Sequence, residues 1–335
     1  MRSIVEFDNH GSRLLGTYHH PGVRQDKRQA APVDPGTAFV FFNAGHMPRE
    51  GHAGLMVQAA DHLASQGYPT FRIDLPGLGD SPGVVPASID SFFRMMHNGL
   101  HVSSVLTVLA ACRQQYGFSS FVLGGLCGAA VTSILASVQA PLEIAGIVAL
   151  ELELFHPRPE SRLRMGQALW SRAAWLRLLT GHGRLGVHVP VPGSLLPKAL
   201  GRALLPSNTN FELVRALEDF LSRDKPMLLI MASENRRELF YDQVRQAVFG
   251  RAAERNIHWR SIAGTNHIFT TGMAHRQVVD EISSWSASHF APCARDPVPV
   301  VEPLVAVRVN MQKDSAVEQP LPRQAASGQR EGQRP

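Results

Sequence analysis

Three cysteines in 335 residues, Cys112, Cys127 and Cys293, are too few for a disulfide framework and read as free thiols of a reducing compartment. Long apolar runs are also missing: none approaches the roughly 20 residues that a bilayer-spanning helix needs, so no transmembrane segment is expected. The opening Met-Arg-Ser-Ile-Val-Glu-Phe-Asp lacks the apolar core of a signal peptide. A cytoplasmic localisation is therefore the expectation. The chain has no internal repeat. No Gly-x-Gly-x-x-Gly or Gly-Lys-Ser/Thr accompanies the Gly-rich turn at residues 74–81, which argues against reading it as a nucleotide-binding loop. No cofactor and no metal are expected.

What is present is a 44% hydrophobic chain, enough for a substantial core in one large domain with an insertion or in two ordinary domains. The net charge of +5 is unevenly placed. Between Arg158 and Arg202 stand eight Lys or Arg against one acidic residue, Glu160, a local balance of +7. A nucleic-acid footprint would spread along a face of the main fold, so no nucleic-acid partner is expected. A basic segment of this kind can instead recruit an anionic substrate or an acidic carrier.

Strand-like and helix-like stretches alternate along the chain. A first hairpin, Ile4–Phe7 and Arg13–Tyr18, turns at Asp8-Asn9-His10-Gly11. Short apolar runs follow at Thr37–Phe42, Thr70–Ile73, 121–124, Ile144–Leu150, Pro226–Met231 and Ile257–Ile262, as expected of strands buried on both faces. Between them lie a helix with Leu55, Ala59 and Leu63 on one face, one long helix over about 90–115, and one from the end of the fifth strand to about Val138. Another carries Phe240, Val244 and Val248, and the last covers about 274–289. This order implies a mostly parallel central sheet flanked by helices, an α/β architecture. Residues 1–150 and 212–290 read as the core, 151–211 as a mainly helical cap inserted into it, and 291–335 as a disordered tail rich in Pro, Gln, Ser and Gly.

The chemistry concentrates at Gly124-Gly125-Leu126-Cys127-Gly128-Ala129-Ala130, where an apolar strand meets a helix. A nucleophile on a sharp strand-to-helix turn needs small neighbours two residues away on either side, and Gly125 and Ala129 stand there. The helix N-terminus favours a thiolate at Cys127. The Gly128 N–H would form one half of an oxyanion hole, with the His46 or Met47 N–H from the loop Asn43–Gly51 as the other. Packing of Cys127 as a small hydrophobe in a tight turn is the alternative. His267, in Ala263-Gly264-Thr265-Asn266-His267-Ile268-Phe269 after the last strand, stands where a general base would follow the nucleophile in chain order. A carboxylate to orient it is expected past the strand Pro226–Met231, where Glu234 is the first candidate and Glu238 the second. Glu151 or Glu153, after the preceding strand, is a third possibility. Asp74-x-x-Gly77-x-Gly79-Asp80-Ser81 reads as a structural turn beside the site, and Arg49 either shapes the oxyanion loop or lies at the surface.

From the first hairpin to the last helix, roughly residues 3–290, the chain resembles the α/β-hydrolase superfamily. Phe42-Asn43-Ala44-Gly45 with Arg49-x-Gly51, Arg72-Ile-Asp74-x-x-Gly77-x-Gly79-Asp80-Ser81, and Gly125-Leu126-Cys127 are similar to a branch with cysteine at the elbow. That branch includes hydrolases associated with bacterial exosortase and exopolysaccharide systems; dienelactone hydrolases are more distant. The resemblance implies Cys127 as nucleophile and His267 as base. Two departures stand out: Ala129 replaces the usual second Gly, and the acid is displaced or changed to Glu. The expected activity is hydrolysis of a small-molecule ester, lactone or thioester. An acyltransferase using the same Cys–His pair, or an accessory protein keeping the fold, are the alternatives.

Overall fold

The computed structural model describes residues 1–22, 36–141, 143–156, 208–233 and 255–293. The basic stretch 158–202, most of the segment read as a cap, the acid candidates Glu234 and Glu238, the helix expected around Phe240–Val248 and most of the tail lie outside these residues. Among the described residues, no helix is long and apolar enough to cross a membrane.

The eight strands are β1 (Arg2–Asn9), β2 (Ser12–His19), β3 (Thr37–Phe42), β4 (Thr70–Ile73), β5 (Ser120–Leu126), β6 (Ile144–Leu150), β7 (Met227–Ala232) and β8 (Ile257–Ile262). They form one sheet in the order β1-β2-β4-β3-β5-β6-β7-β8. Only the pairs involving β1 and β2 are antiparallel; all the others are parallel. His10 and Gly11, with φ of 54° and 85°, make the two-residue hairpin loop, the conformation that matches strand twist.

The unbroken apolar runs of β3, β5, β6 and β7 follow from burial on both faces. Alternate residues feed two clusters. Val40, Leu123, Ala149 and Leu229 point to one; Phe41, Val122, Val148 and Leu228 point to the other. The first is covered by α2 (Ile89–His97), α3 (Val102–Tyr116), α4 (Gly128–Gln139) and α5 (Phe211–Ser222), the second by α1 (Leu55–Ser65) and α6 (Gly272–His289).

The single long helix expected over 90–115 is in fact two. Gly99 takes φ 86°, while Leu100 N–H donates to the Met95 carbonyl and Gly99 N–H to the Met96 carbonyl, both at 3.0 Å. That left-handed ending closes α2 and reorients the chain before α3. At the boundary of the undescribed segment the chain leaves and returns as a pair. Phe155 bridges Thr209 in antiparallel fashion, and the His156 N–H donates to the Asn208 carbonyl (2.8 Å).

Candidate active site

The C-terminal ends of β3, β5, β6, β7 and β8 share one edge of the sheet, where open α/β sheets place their ligands. Cys127 stands at the tip of β5, heading α4, with φ 55° and ψ −107°. A non-glycine residue in that conformation is strained. Its backbone is fixed on both sides: the Cys127 N–H donates to the Leu150 carbonyl (2.7 Å), and its carbonyl accepts from the Val131 N–H (3.2 Å) in the first turn of α4. Gly125 is required beneath it. Its φ is 140°, and a Cβ there would lie 2.5 Å from the Ala129 methyl. The alanine that stands in place of a second glycine thus uses the space that Gly125 leaves open. The thiol is partly exposed, whereas Cys112 and Cys293 are buried; burial pushes the Cys112 thiol well up from its ordinary range.

The loop of residues 43–51 packs directly on the head of α4: the Gly45 nitrogen lies 3.5 Å from where a Gly128 Cβ would be. Of the two donors expected from this loop, Met47 is withdrawn, because its N–H donates to the Ala44 carbonyl at 3.0 Å. His46 remains. Met96 of α2 covers Gly128 from outside, and the Phe93 ring lies 3.2 Å from a Cβ position on Gly45.

His267 is exposed on the loop after β8. The loop is anchored by Phe269, fully buried with φ 52°, whose N–H donates to the Asn266 carbonyl (2.9 Å). Thr271 caps α6 through the Ala274 N–H (3.2 Å). His52 lies between residues 43–51 and α1, within electrostatic reach of both His46 and His267. The His52 imidazole is lowered from its ordinary pKa first by burial, then by His267 and His46. Met47, Cys127 and Ile268 all pack on the same apolar cluster. His52 carried no motif, and its place beside the site follows only from the path of the loop before α1.

Among the acid candidates, Glu151 and Glu153 are described. Glu151 directly follows β6, fully buried with φ 52°, and its carboxylate accepts from the Ala232 N–H at the end of β7. Glu153 turns locally onto the Phe155 N–H (3.3 Å). Arg49 is buried, not superficial. Burial disfavours its charge, but Asp80 and Asp74 outweigh that and raise its pKa.

Sheet order, elbow and the loops around it define the α/β-hydrolase fold. No family model and no curated protein matches the sequence. Among solved structures the chain is similar to that of DcsB in complex with its substrate analogue, at 15% identity and a TM-score of 0.54. That alignment covers 86% of this chain and 100% of the other. It is also similar to the haloalkane dehalogenase DbeA from Bradyrhizobium elkani, at 12% identity and a TM-score of 0.50, with 86% and 100% covered.

Proposed function

We propose that the chain is a hydrolase acting on an ester, lactone or thioester, with Cys127 as nucleophile, His267 as general base and Glu151 as the carboxylate that orients the imidazole. One fold hosts many chemistries, so the reaction must be argued from the site. The observation that carries the reading is the strained backbone of Cys127 at the head of α4. Strain of this kind persists where the surroundings enforce it and clusters at functional sites, and it presents the thiol beside the Gly128 N–H.

In the first half-reaction, His267 takes the thiol proton and the sulfur attacks the substrate carbonyl. Negative charge gathers on the carbonyl oxygen, stabilised by the N–H groups of Gly128 and His46. Collapse expels the leaving group, which takes the proton from His267 and leaves an acyl thioester on Cys127. Water then gives its proton to His267, attacks the thioester and releases the acid and the free thiol. Glu151 is preferred to Glu234 because its fully buried carboxylate stands at the tip of β6, beside the strand that carries the proposed nucleophile, and is held there by the Ala232 N–H at the end of β7. Thiol nucleophiles suit activated carbonyls better than amides, so peptide hydrolysis is not expected. The narrower resemblance to cysteine-elbow hydrolases of exosortase-associated systems fits this chemistry.

The test is turnover of a short p-nitrophenyl ester or an acyl thioester by the native chain and by Cys127→Ala. A drop of at least ~10³-fold is expected. Equal rates in the two proteins would remove the thiol mechanism.

A further inference from the structure

The Asp74 turn, read from the sequence as merely structural, carries a second role. We infer that Asp74 is a positioning residue for the oxyanion hole, acting through Asn43 and Arg49 on the His46 peptide. This rests on the hydrolase reading above and names what holds its less obvious donor.

The Asp74 carboxylate is fully buried and accepts four hydrogen bonds. Asn43 Nδ2 (2.6 Å) and the Arg49 backbone N–H (2.8 Å) donate to Oδ1. The Asp80 N–H (3.1 Å) and the Arg49 guanidinium donate to Oδ2. Asn43 and Arg49 bracket the oxyanion loop, so one carboxylate ties its two ends together. Each end is then locked further. Asn43 Nδ2 also donates to the Met47 carbonyl (3.0 Å), and its Oδ1 accepts from the Leu75 N–H (2.6 Å). Arg49 Nε donates to Thr17 Oγ1 (3.1 Å), and its carbonyl accepts from Arg72 Nη1 (3.1 Å).

Between these anchors Met47 is bonded at both its N–H and its carbonyl, and Gly45 turns the chain at φ 57°. The His46 peptide lies between two fixed residues, and no described residue accepts from its N–H. A peptide donor held rigidly but left without an acceptor is what an oxyanion hole requires, because its dipole must not reorganise when charge develops. The carboxylate itself has no slack: a Cβ on Gly79 would lie 2.3 Å from its Oδ1. Asp74 touches no reacting atom in this arrangement; it acts only through the loop.

The test compares two reactions of the same thiol. Ester hydrolysis passes through an oxyanion; alkylation of Cys127 by iodoacetamide does not. In Asp74→Asn, kcat for a p-nitrophenyl ester is expected to fall about 10- to 100-fold, somewhat less than loss of an oxyanion donor outright. KM and the rate of Cys127 alkylation should stay within about twofold of the native chain, since uniform binding and the nucleophile are untouched. A kcat within twofold of native, or alkylation falling in step with kcat, would overturn the inference. If Asp74→Asn does not fold, Arg49→Lys decides. It keeps the buried positive charge but loses the fork that joins Asp74, Asp80 and Thr17, and a fall of about 3- to 10-fold in kcat with unchanged alkylation is expected. Unchanged kcat in that variant would overturn the inference equally. Cys127→Ala in the same assay separates the two levels: a native chain no faster than Cys127→Ala defeats the hydrolase reading, whereas a native chain well above it and equal to Asp74→Asn defeats the positioning role alone.

Discussion

Residues 43–51 are held by buried ionic and hydrogen-bonded contacts from β2, β4 and the 74–81 turn, whereas residues 263–271, which carry His267, include buried Thr265 and Phe269, bonds from the Ile268 and Phe269 N–H groups back to Asn266, and the cap of α6. Met47 of the first loop and Ile268 of the second pack on the same apolar cluster as Cys127, yet the first is tied down by a buried carboxylate and the second presents an exposed imidazole. The contrast fits the two tasks proposed for these loops. Stabilising a developing oxyanion depends on dipoles that do not move. A general base must accept a proton from sulfur and later deliver one to the leaving group, so it works over a range of positions.

That comparison can be broken at several points. Removing the base should have the largest effect: His267→Gln is expected to lower kcat by roughly 10²- to 10⁴-fold, read in steady-state hydrolysis. Activity within tenfold of native would mean that another group, such as His52, takes the proton. Next comes the carboxylate. Glu151→Gln should reduce kcat about 10- to 100-fold, less than a serine enzyme loses because a thiol ionises more easily. Glu234→Gln should leave it within about twofold, and the reverse pattern would move the acid to the loop after β7.

A pair of glycines then tests the two loops against each other. Gly79 and Gly264 take similar positive φ, 53° and 67°, but an added Cβ at Gly79 meets the Asp74 carboxylate, while Gly264 has nothing within 4 Å. Gly264→Ala should cost only the backbone penalty, about 1 kcal/mol, and Gly79→Ala about 3 kcal/mol with a fall in kcat. Equal urea midpoints for the two would show that the oxyanion side is less tightly held than its contacts indicate.

The smallest effect concerns pH. His19 joins the same charged network through Arg72, whose Nε–H donates to His19 Nε2 (2.9 Å). Burial first, and then Arg72, lower His19 from 6.5 to about 4, against the pull of Asp61. In the window between those values the unfolded chain binds a proton that the native imidazole refuses, so stability rises with pH there. It should fall as pH drops from 6.5 towards 4, and His19→Gln should flatten part of that slope in urea titrations. An identical slope in the variant would take His19 out of the acid response.

The sheet was legible in the sequence because strands buried on both faces have to be continuous apolar runs, as Thr37–Phe42 and Ile144–Leu150 are. The strand-to-helix turn at Cys127 was legible because close packing restricts Gly125 and Ala129 to small residues. The break at Gly99 was not, since one glycine in an apolar periodic stretch is compatible with an uninterrupted helix. Arg49 and Asp74 could not be joined from sequence either. Their pairing spans 25 residues and depends on β3 and β4 lying side by side, and a buried ion pair leaves no local pattern. The carboxylate proposed as the acid was obscured for a related reason: Glu151 sits one residue past a strand, and what marks it is burial together with φ 52°.

The central claim, that Cys127 is a nucleophile presented by a strained elbow, has one direct test. The native chain is exposed briefly to an activated ester or thioester, quenched in acid, digested and examined by mass spectrometry. The account predicts an acyl mass shift on the peptide containing Cys127, with Cys112 and Cys293 unmodified. An acyl group on another residue, or turnover with no acylated Cys127 under any quench time, would contradict it.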